Sequence, residues 1–232
     1  MGSTITGLAA ALCLAFAGQA VAQGEGAGWY FGVGYGGSSL SGDLAEQTRA
    51  AYAGNPDLQL VSAQFTDDSD TAKQATVGYR FTPWFGLELG WQDLGNAQTF
   101  YSVRSISGFS PGPARINGEY GVRDVNLAAV VSWPIADRFE LLARGGIAGT
   151  RLSYDESGTS VNGHPYSFHA ANDNSTSALF GIGFAWELAP TWKLRVGVDR
   201  IFDVGSDFAL NAHGNGHFDH IDAWTANLFW KP

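Results

Sequence analysis

The chain has 232 residues, 31 of them glycine, with 13% aromatic and only 15% charged side chains. A typical soluble domain carries about 25% charged residues. The formal net charge of −9 excludes nucleic acid as a partner, because a phosphate backbone demands clustered Lys and Arg.

Residues Met1–Gln23 carry no charged side chain, and the apolar stretch Gly7–Ala22 ends in Ala20-Val21-Ala22. An apolar run closed by an A-x-A site reads as a secretory signal peptide, here 1–22. The run is shorter than the roughly 20 residues of a spanning helix. The single cysteine, Cys13, lies inside it, and Leu12 stands before it where a lipoprotein signal wants a small residue. The mature chain, 23–232, then has no disulfide to stabilise it. It is expected to form one β-domain. No later segment is apolar enough to span as a helix, so membrane insertion has to be by strands.

Eight period-2 patterns follow in chain order, each with one apolar face. The apolar sets are Trp29, Phe31, Val33 and Tyr35; then Ala75, Val77, Tyr79 and Phe81; then Phe85, Leu87, Leu89 and Trp91. They continue with Val125, Leu127, Ala129, Val131 and Trp133, and with Phe139, Leu141, Ala143 and Ile147. The last three are Ala178, Phe180, Ile182, Phe184 and Trp186; Trp192, Leu194, Val196 and Val198; and Trp224, Ala226, Leu228 and Trp230. The opposite faces carry glycines and charges, including Arg80, Glu88, Asp124, Asn126, Glu140, Arg144, Lys193, Arg195 and Asp199. A soluble barrel keeps its apolar residues inside. Here the apolar band has to face out and the polar residues in, which predicts an all-β, eight-stranded antiparallel up-and-down transmembrane β-barrel.

Three connections share one design, in which aromatic residues flank a proline: Tyr79–Phe85 around Pro83, Trp133–Phe139 around Pro134, and Trp186–Trp192 around Pro190. Proline cannot donate to a sheet ladder and marks a break between strands. Paired aromatics beside such breaks suit a membrane–water interface. The expected interface aromatics are Trp29, Phe81, Trp84, Phe85, Trp133, Phe139, Trp186, Trp192 and Trp230. Between the remaining strands lie stretches of about 38–71, 94–119, 152–176 and 203–221, rich in Gly, Ser, Asn and Asp. These are expected to be four long, mobile outer loops.

The segments Gly28–Gly36 (GWYFGVGYG), Val77–Gly95 (VGYRFTPWFGLELGWQDLG) and Ser132–Asp155 (SWPIADRFELLARGGIAGTRLSYD) resemble the OmpA-like transmembrane domain family of small eight-stranded outer-membrane barrels. The closing aromatic strand looks like that family's assembly signal. Many members continue into a periplasmic peptidoglycan-binding domain, whereas this sequence stops at Pro232. The resemblance implies the outer membrane of a Gram-negative cell, handling by the barrel-assembly machinery, a monomer, and no cofactor. It also implies a lumen network of ion pairs, with Glu88 and Arg195 at latch positions and Arg144 as a further interior arginine. Arg80 and Glu140 share the interior face and complete the expected network.

Lys73, Arg123, Arg151 and Arg200 continue the lipid-facing register beyond the apolar band, at the expected strand tops. There they are candidate contacts for lipopolysaccharide phosphates. His213, His217 and His220 are candidate ligands for a transition metal, although the flanking glycines fit a flexible polar loop as well. Ser175, Ser177 and His169 near one strand top are the raw material of an outer-membrane lipid-modifying enzyme, but no recognisable motif surrounds them. The expected function is therefore non-enzymatic: a surface-interaction barrel whose loops meet an unidentified extracellular ligand over a lumen plugged by ion pairs. The alternative is a narrow ion or small-solute pore gated by Glu88 and Arg195.

Overall fold

The computed structural model describes residues 27–53, 55–106, 114–170, 173–211 and 214–232. The expected signal peptide, 1–22, lies outside the described residues. The elements run β1 Gly28–Ser41, α1 Leu44–Tyr52, β2 Leu58–Asp67, β3 Ser69–Thr82, β4 Phe85–Ser105 and β5 Ala114–Ala136. They continue with β6 Phe139–Thr159, β7 Pro165–His169, β8 Asp173–Ala189, β9 Trp192–Asn211 and β10 Gly214–Trp230.

Every pairing is antiparallel. β1 pairs with β3 and with β10, and successive pairs join β3 to β4, β4 to β5 and β5 to β6. β6 pairs with β8, β8 with β9 and β9 with β10. β2 is added beside β4 and β7 beside β6. The exterior of this sheet is apolar: Val33, Val125, Leu127, Ile147, Phe180 and Ile182 are each about half exposed or more. The interior holds buried Gln74, Thr76, Glu88, Gln92, Asn126, Arg144 and Asn227. An exposed apolar band of this extent suits hydrocarbon rather than water. This is the fold of an all-β transmembrane barrel.

At one end, two-residue connections join the strands: Pro83-Trp84, Asp137-Arg138 and Pro190-Thr191. We call this the turn end. Pro134 is not in the turn itself. It lies inside β5 opposite Glu140, just before a register shift. Its other neighbour, β4, has already ended at Phe85 opposite Val131. Proline is tolerated where a strand has become an edge.

The opposite end departs from expectation. A strand of about 9–11 residues crosses a bilayer, yet β4 and β6 have 21 residues and β5 has 23. The segments expected as mobile loops are largely strand and helix among the described residues. The physical reason is an inversion of sense along each strand. Past the exterior charges, the same inward parity carries Leu94, Tyr120, Val122, Leu152, Tyr154 and Ile221, and the paired Val204 and Phe218 turn inward on the other parity of β9 and β10, none of them more than 2% exposed. Asn117, Glu119, Asp155 and Ser157 face outward there. The membrane-type barrel thus continues as a soluble-type one with its own apolar core.

Helix α1 packs on β2 and β10 at this extended end. Asp43 caps it by accepting a hydrogen bond of 2.9 Å from the Glu46 amide. Leu44, Thr48 and Tyr52, four residues apart, form its buried stripe. Gln47 ties it to β10, donating to the His217 carbonyl at 3.1 Å and accepting from the His217 amide at 2.9 Å.

The exterior pattern predicts a depth-dependent cost for charge. Ala129→Arg, in the middle of the outward set of β5, should lose about 2–4 kcal/mol in vesicle-based equilibrium unfolding, whereas Val125→Arg, next to Arg123, should lose about 0–1 kcal/mol. Equal losses would mean that the apolar band is not the lipid face.

Candidate functional site

The interior side chains group into layers. The central layer is built on Glu88 of β4, which is fully buried. Arg195 of β9 reaches it with a hydrogen bond from Nη1 to Oε2 at 3.0 Å and an ion-pair contact of 2.7 Å between Nη2 and Oε1. The Tyr30 hydroxyl donates to Oε1 at 2.8 Å, and Arg144 Nε stands 3.9 Å from Oε2. Arg144 also donates to Asp199 at 2.8 Å and to the Asn126 oxygen at 2.8 Å. The Arg195 guanidinium lies 4.2 Å from the centroid of the Phe229 ring, a cation–π contact. Two glycines make room for this packing. A Cβ on Gly78 would collide with the Tyr30 ring, and one on Gly181 with the Asp199 carboxylate.

A second layer lies nearer the turn end. Glu140 accepts from Arg80 at 3.1 Å and from Lys193 at 2.7 Å, and Arg80 also reaches Ser132 at 3.3 Å. Arg80, Glu140 and Lys193 line a vestibule of about 420 Å³ with Tyr30, Trp84, Trp192 and Phe229. Arg80 and Glu140 do not touch the Glu88 cluster, so the expected network is two separate layers. Tyr30, Asn126, Lys193, Asp199 and Phe229 were not singled out from the sequence. Inward parity was their only signal, and parity does not report reach across the lumen.

The aromatics gather at the turn end. Trp29 meets Tyr79 edge-on at 5.1 Å, Phe81 stacks on Phe85 at 5.9 Å, and Phe139 stacks on Trp186 at 6.0 Å. Phe31 meets Trp230 at 6.2 Å and Trp84 meets Phe85 at 6.0 Å. Trp133 and Trp192 are also exposed at this end.

On the exterior, Lys73, Asp93, Arg123 and Arg151 are direct cross-strand neighbours on β3, β4, β5 and β6. Arg123 pairs with Asp93 at 3.3 Å. Arg200 pairs with Asp222 through two 2.6 Å hydrogen bonds. Arg123, Arg151 and Arg200 are not at strand tops, because β5, β6 and β9 run on beyond them. They mark instead the level at which the exterior changes from apolar to polar.

The remaining candidates do not converge. His213 lies outside the described residues. His217 faces Asp219 at 3.4 Å and His220 faces Asp222 at 3.7 Å. Among the described residues no group of three His, Cys, Asp or Glu side chains is placed to hold a metal. His169 bonds to Asp155 at 2.6 Å, Ser177 donates to the Asp203 carbonyl, and Ser175 accepts from the Gly205 amide. No Ser–His hydrogen bond forms among these three.

Within the extension, Glu156 is 2% exposed and accepts from Tyr101 at 2.5 Å, Tyr154 at 2.5 Å and Tyr166 at 2.8 Å. Burial pushes the nearby Tyr52 hydroxyl up to about 12. Burial and the Glu156 charge raise Tyr101, Tyr154 and Tyr166 as well. Beside this cluster, β2 and the end of α1 border an open groove of about 720 Å³ that includes Arg49, Tyr52, Leu60 and Val61.

The model of the OmpA-like transmembrane domain matches residues 25–226. The chain belongs to that family. OmpA-like relatives include outer membrane protein A of Serratia marcescens, 26% identical over 212 residues, covering 89% of this chain and 52% of that protein. The protein of the same name from Escherichia fergusonii is 27% identical over 144 residues, covering 60% of this chain and 35% of the relative. This chain thus spans about half or less of the length of these OmpA relatives. Among solved structures, Neisserial surface protein A aligns with a TM-score of 0.49 and 12% identity, over 89% of this chain and 99% of that one. OprG of Pseudomonas aeruginosa aligns at 0.45 with 16% identity, over 89% and 97%. As an OmpA-like barrel, the chain is an outer-membrane protein.

Two outcomes follow. Glu88→Ala leaves Arg195 and Arg144 buried without their carboxylate and should cost about 3–5 kcal/mol. Asp155→Ala, which breaks an exposed pair, should cost less than about 1 kcal/mol. Urea denaturation checks the difference. The tyrosines give a pH signature. Their folded pKa values lie above the ordinary phenol value of about 10, so their contribution is intact below that pH. It begins to be lost as pH rises above about 10, where the unfolded chain releases protons first, and for Tyr52 the loss runs to about 12. Phenolate absorbance and protease resistance of the extension should change together in that window.

Proposed function

We propose that the protein is a non-enzymatic outer-membrane scaffold that holds a rigid β-platform above the membrane over a sealed lumen. In this reading β1, β3, β4, β5, β6, β8, β9 and β10 form an eight-stranded ring that crosses the bilayer. β2 and β7 widen it beyond the membrane, with the turn end in the periplasm and the extended end outside. The observation that carries the reading is the double filling of the interior. The Glu88 layer is tied across the barrel, and above it Leu94, Leu152, Ile201, Phe218 and Ile221 are 0–2% exposed. A hydrated ion meets fixed charge pairs first and an apolar plug next. The working surface is then the outer face of the extension, and its ligand is a macromolecule or glycan outside the cell.

The pore reading needs Glu88 and Arg195 to act as a gate. The apolar layer above them speaks against it, because breaking the pair leaves that layer in place. The exterior row Lys73, Arg123 and Arg151, with Asp93 between the first two, supports lipopolysaccharide as a lipid partner. Phosphates could bridge its guanidinium and ammonium groups.

In planar bilayers the protein should show no steady conductance, and Glu88→Ala or Arg195→Ala should not create one. Steady channels in the wild type that change in those variants would replace the scaffold by the gated pore. For the lipid partner, the variant with Lys73, Arg123, Arg151 and Arg200 all changed to Ala should retain its fold but bind lipopolysaccharide at least several-fold more weakly. Unchanged affinity would remove that contact.

A further inference from the structure

The most deeply buried stretch of the lumen carries a charge imbalance among the described residues. Five ionisable side chains between the turn-end layer and the apolar plug are at least nine-tenths buried: Glu88, Asp124 and Asp199 against Arg144 and Arg195. Three carboxylates therefore face two guanidinium groups. Arg195 is committed to Glu88, and Arg144 to Asp199, Asn126 and the flank of Glu88. Asp124 is the carboxylate left over. Its Oδ1 accepts from the Asn126 amide at 2.7 Å, and its Oδ2 is buried with no hydrogen-bond partner among the described residues.

Two other orphaned oxygens flank it. Gln92, Asp124 and Thr150 face one another in register on β4, β5 and β6, and all three point inward with 1–2% exposure. The Cβ atoms of such neighbours lie about 4.5–5.5 Å apart. Gln92 Oε1 and Thr150 Oγ1 are both buried without a partner among the described residues. The Gln92 amide is oriented by Asp199, since only its nitrogen can approach that carboxylate, at 3.4 Å. A carboxylate oxygen, an amide oxygen and a hydroxyl oxygen are therefore left on three adjacent strands, where one positive charge is missing.

We propose that the lumen binds one monovalent metal cation at Asp124, with Gln92 and Thr150 supplying the neutral oxygens. A proton on Asp124 would also balance the charge, and the Thr150 hydroxyl can itself donate, yet as placed neither Gln92 Oε1 nor Thr150 Oγ1 comes within hydrogen-bond reach of Asp124 Oδ2, so a proton would leave the three oxygens unjoined. A cation takes all three. One charge is missing rather than two, and a single free carboxylate is a poor match for the multiple carboxylates of calcium sites. Sodium and potassium are the fitting class. The site lies one layer above the Glu88 cluster and does not depend on the scaffold reading, because a conducting or a sealed lumen would hold it equally.

The test is thermal unfolding of the purified barrel, refolded in detergent with either sodium or potassium chloride, or with N-methylglucamine chloride at equal ionic strength. The wild-type midpoint should rise with the logarithm of sodium or potassium concentration and stay flat with the bulky cation. Asp124→Asn should abolish that difference, and Thr150→Val should weaken it. Wild-type crystals grown in thallium should show an anomalous peak among the three oxygens, a measurement that needs no variant to fold. A midpoint indifferent to cation size, an equal response in Asp124→Asn, or crystals without the peak would overturn the site. So would a protonated-carboxyl infrared band in the wild type that disappears in Asp124→Asn.

Discussion

Hydrocarbon offers a backbone amide nothing to bond to, and each unsatisfied group there costs several kcal/mol. Among the described residues no helix is long and apolar enough to cross a membrane. The chain meets the requirement by pairing strands, including the first with the last. β1 and β10 pair from Phe31 opposite Trp230 to Ser41 opposite His220. Once they do, every residue between is assigned to the inside or the outside, and the chemistry of both surfaces follows from that assignment.

One parity serves two media. Along β5 the even-numbered residues stay inward, from Ser132 through Asn126 and Asp124 to Val122 and Tyr120. In the lower part these positions are polar, because the outside is lipid. In the upper part they are apolar, because the outside is water. The changeover falls close to Arg123 and Asp93 on the exterior. Just inside it lie the deepest uncompensated polar groups, where neither the lower ion pairs nor the upper apolar core supplies partners.

The apolar band and the two-residue turns were legible in the sequence because alternation and aromatic placement are local signals. The inversion was not. Gly118, Glu119, Asn117 and Ser157 gave the upper segments a loop-like composition, while Tyr120, Val122 and Tyr154 among them supplied a core whose period is the same but whose sense is reversed. Helix α1 left a trace in the spacing of Asp43 and Glu46, a capping signal, overlooked within a segment rich in Ser and Gly. In the lumen, register placed Glu88 and Arg195 on the interior face, but the partnership of Arg144 with Asp199 depends on how far a guanidinium reaches across a narrow tube. That distance is a property of the assembled barrel. The Glu156 cluster was illegible for the same reason: Tyr101 and Tyr166 come from different strands and meet only in space.

The two ends of the molecule differ in bulk as well as in polarity. At the turn end, two residues and a few rings complete each hairpin. At the other end, a helix clamped by Gln47 and a packed core topped by Phe218 complete them. In the proposed orientation, with the extended end outside, the upper segments pass the bilayer as unpacked chain and build their core on the far side. Withdrawal would require that core to be dismantled first. In that orientation the extension is shaped like a rivet head, and its packed core opposes withdrawal after insertion.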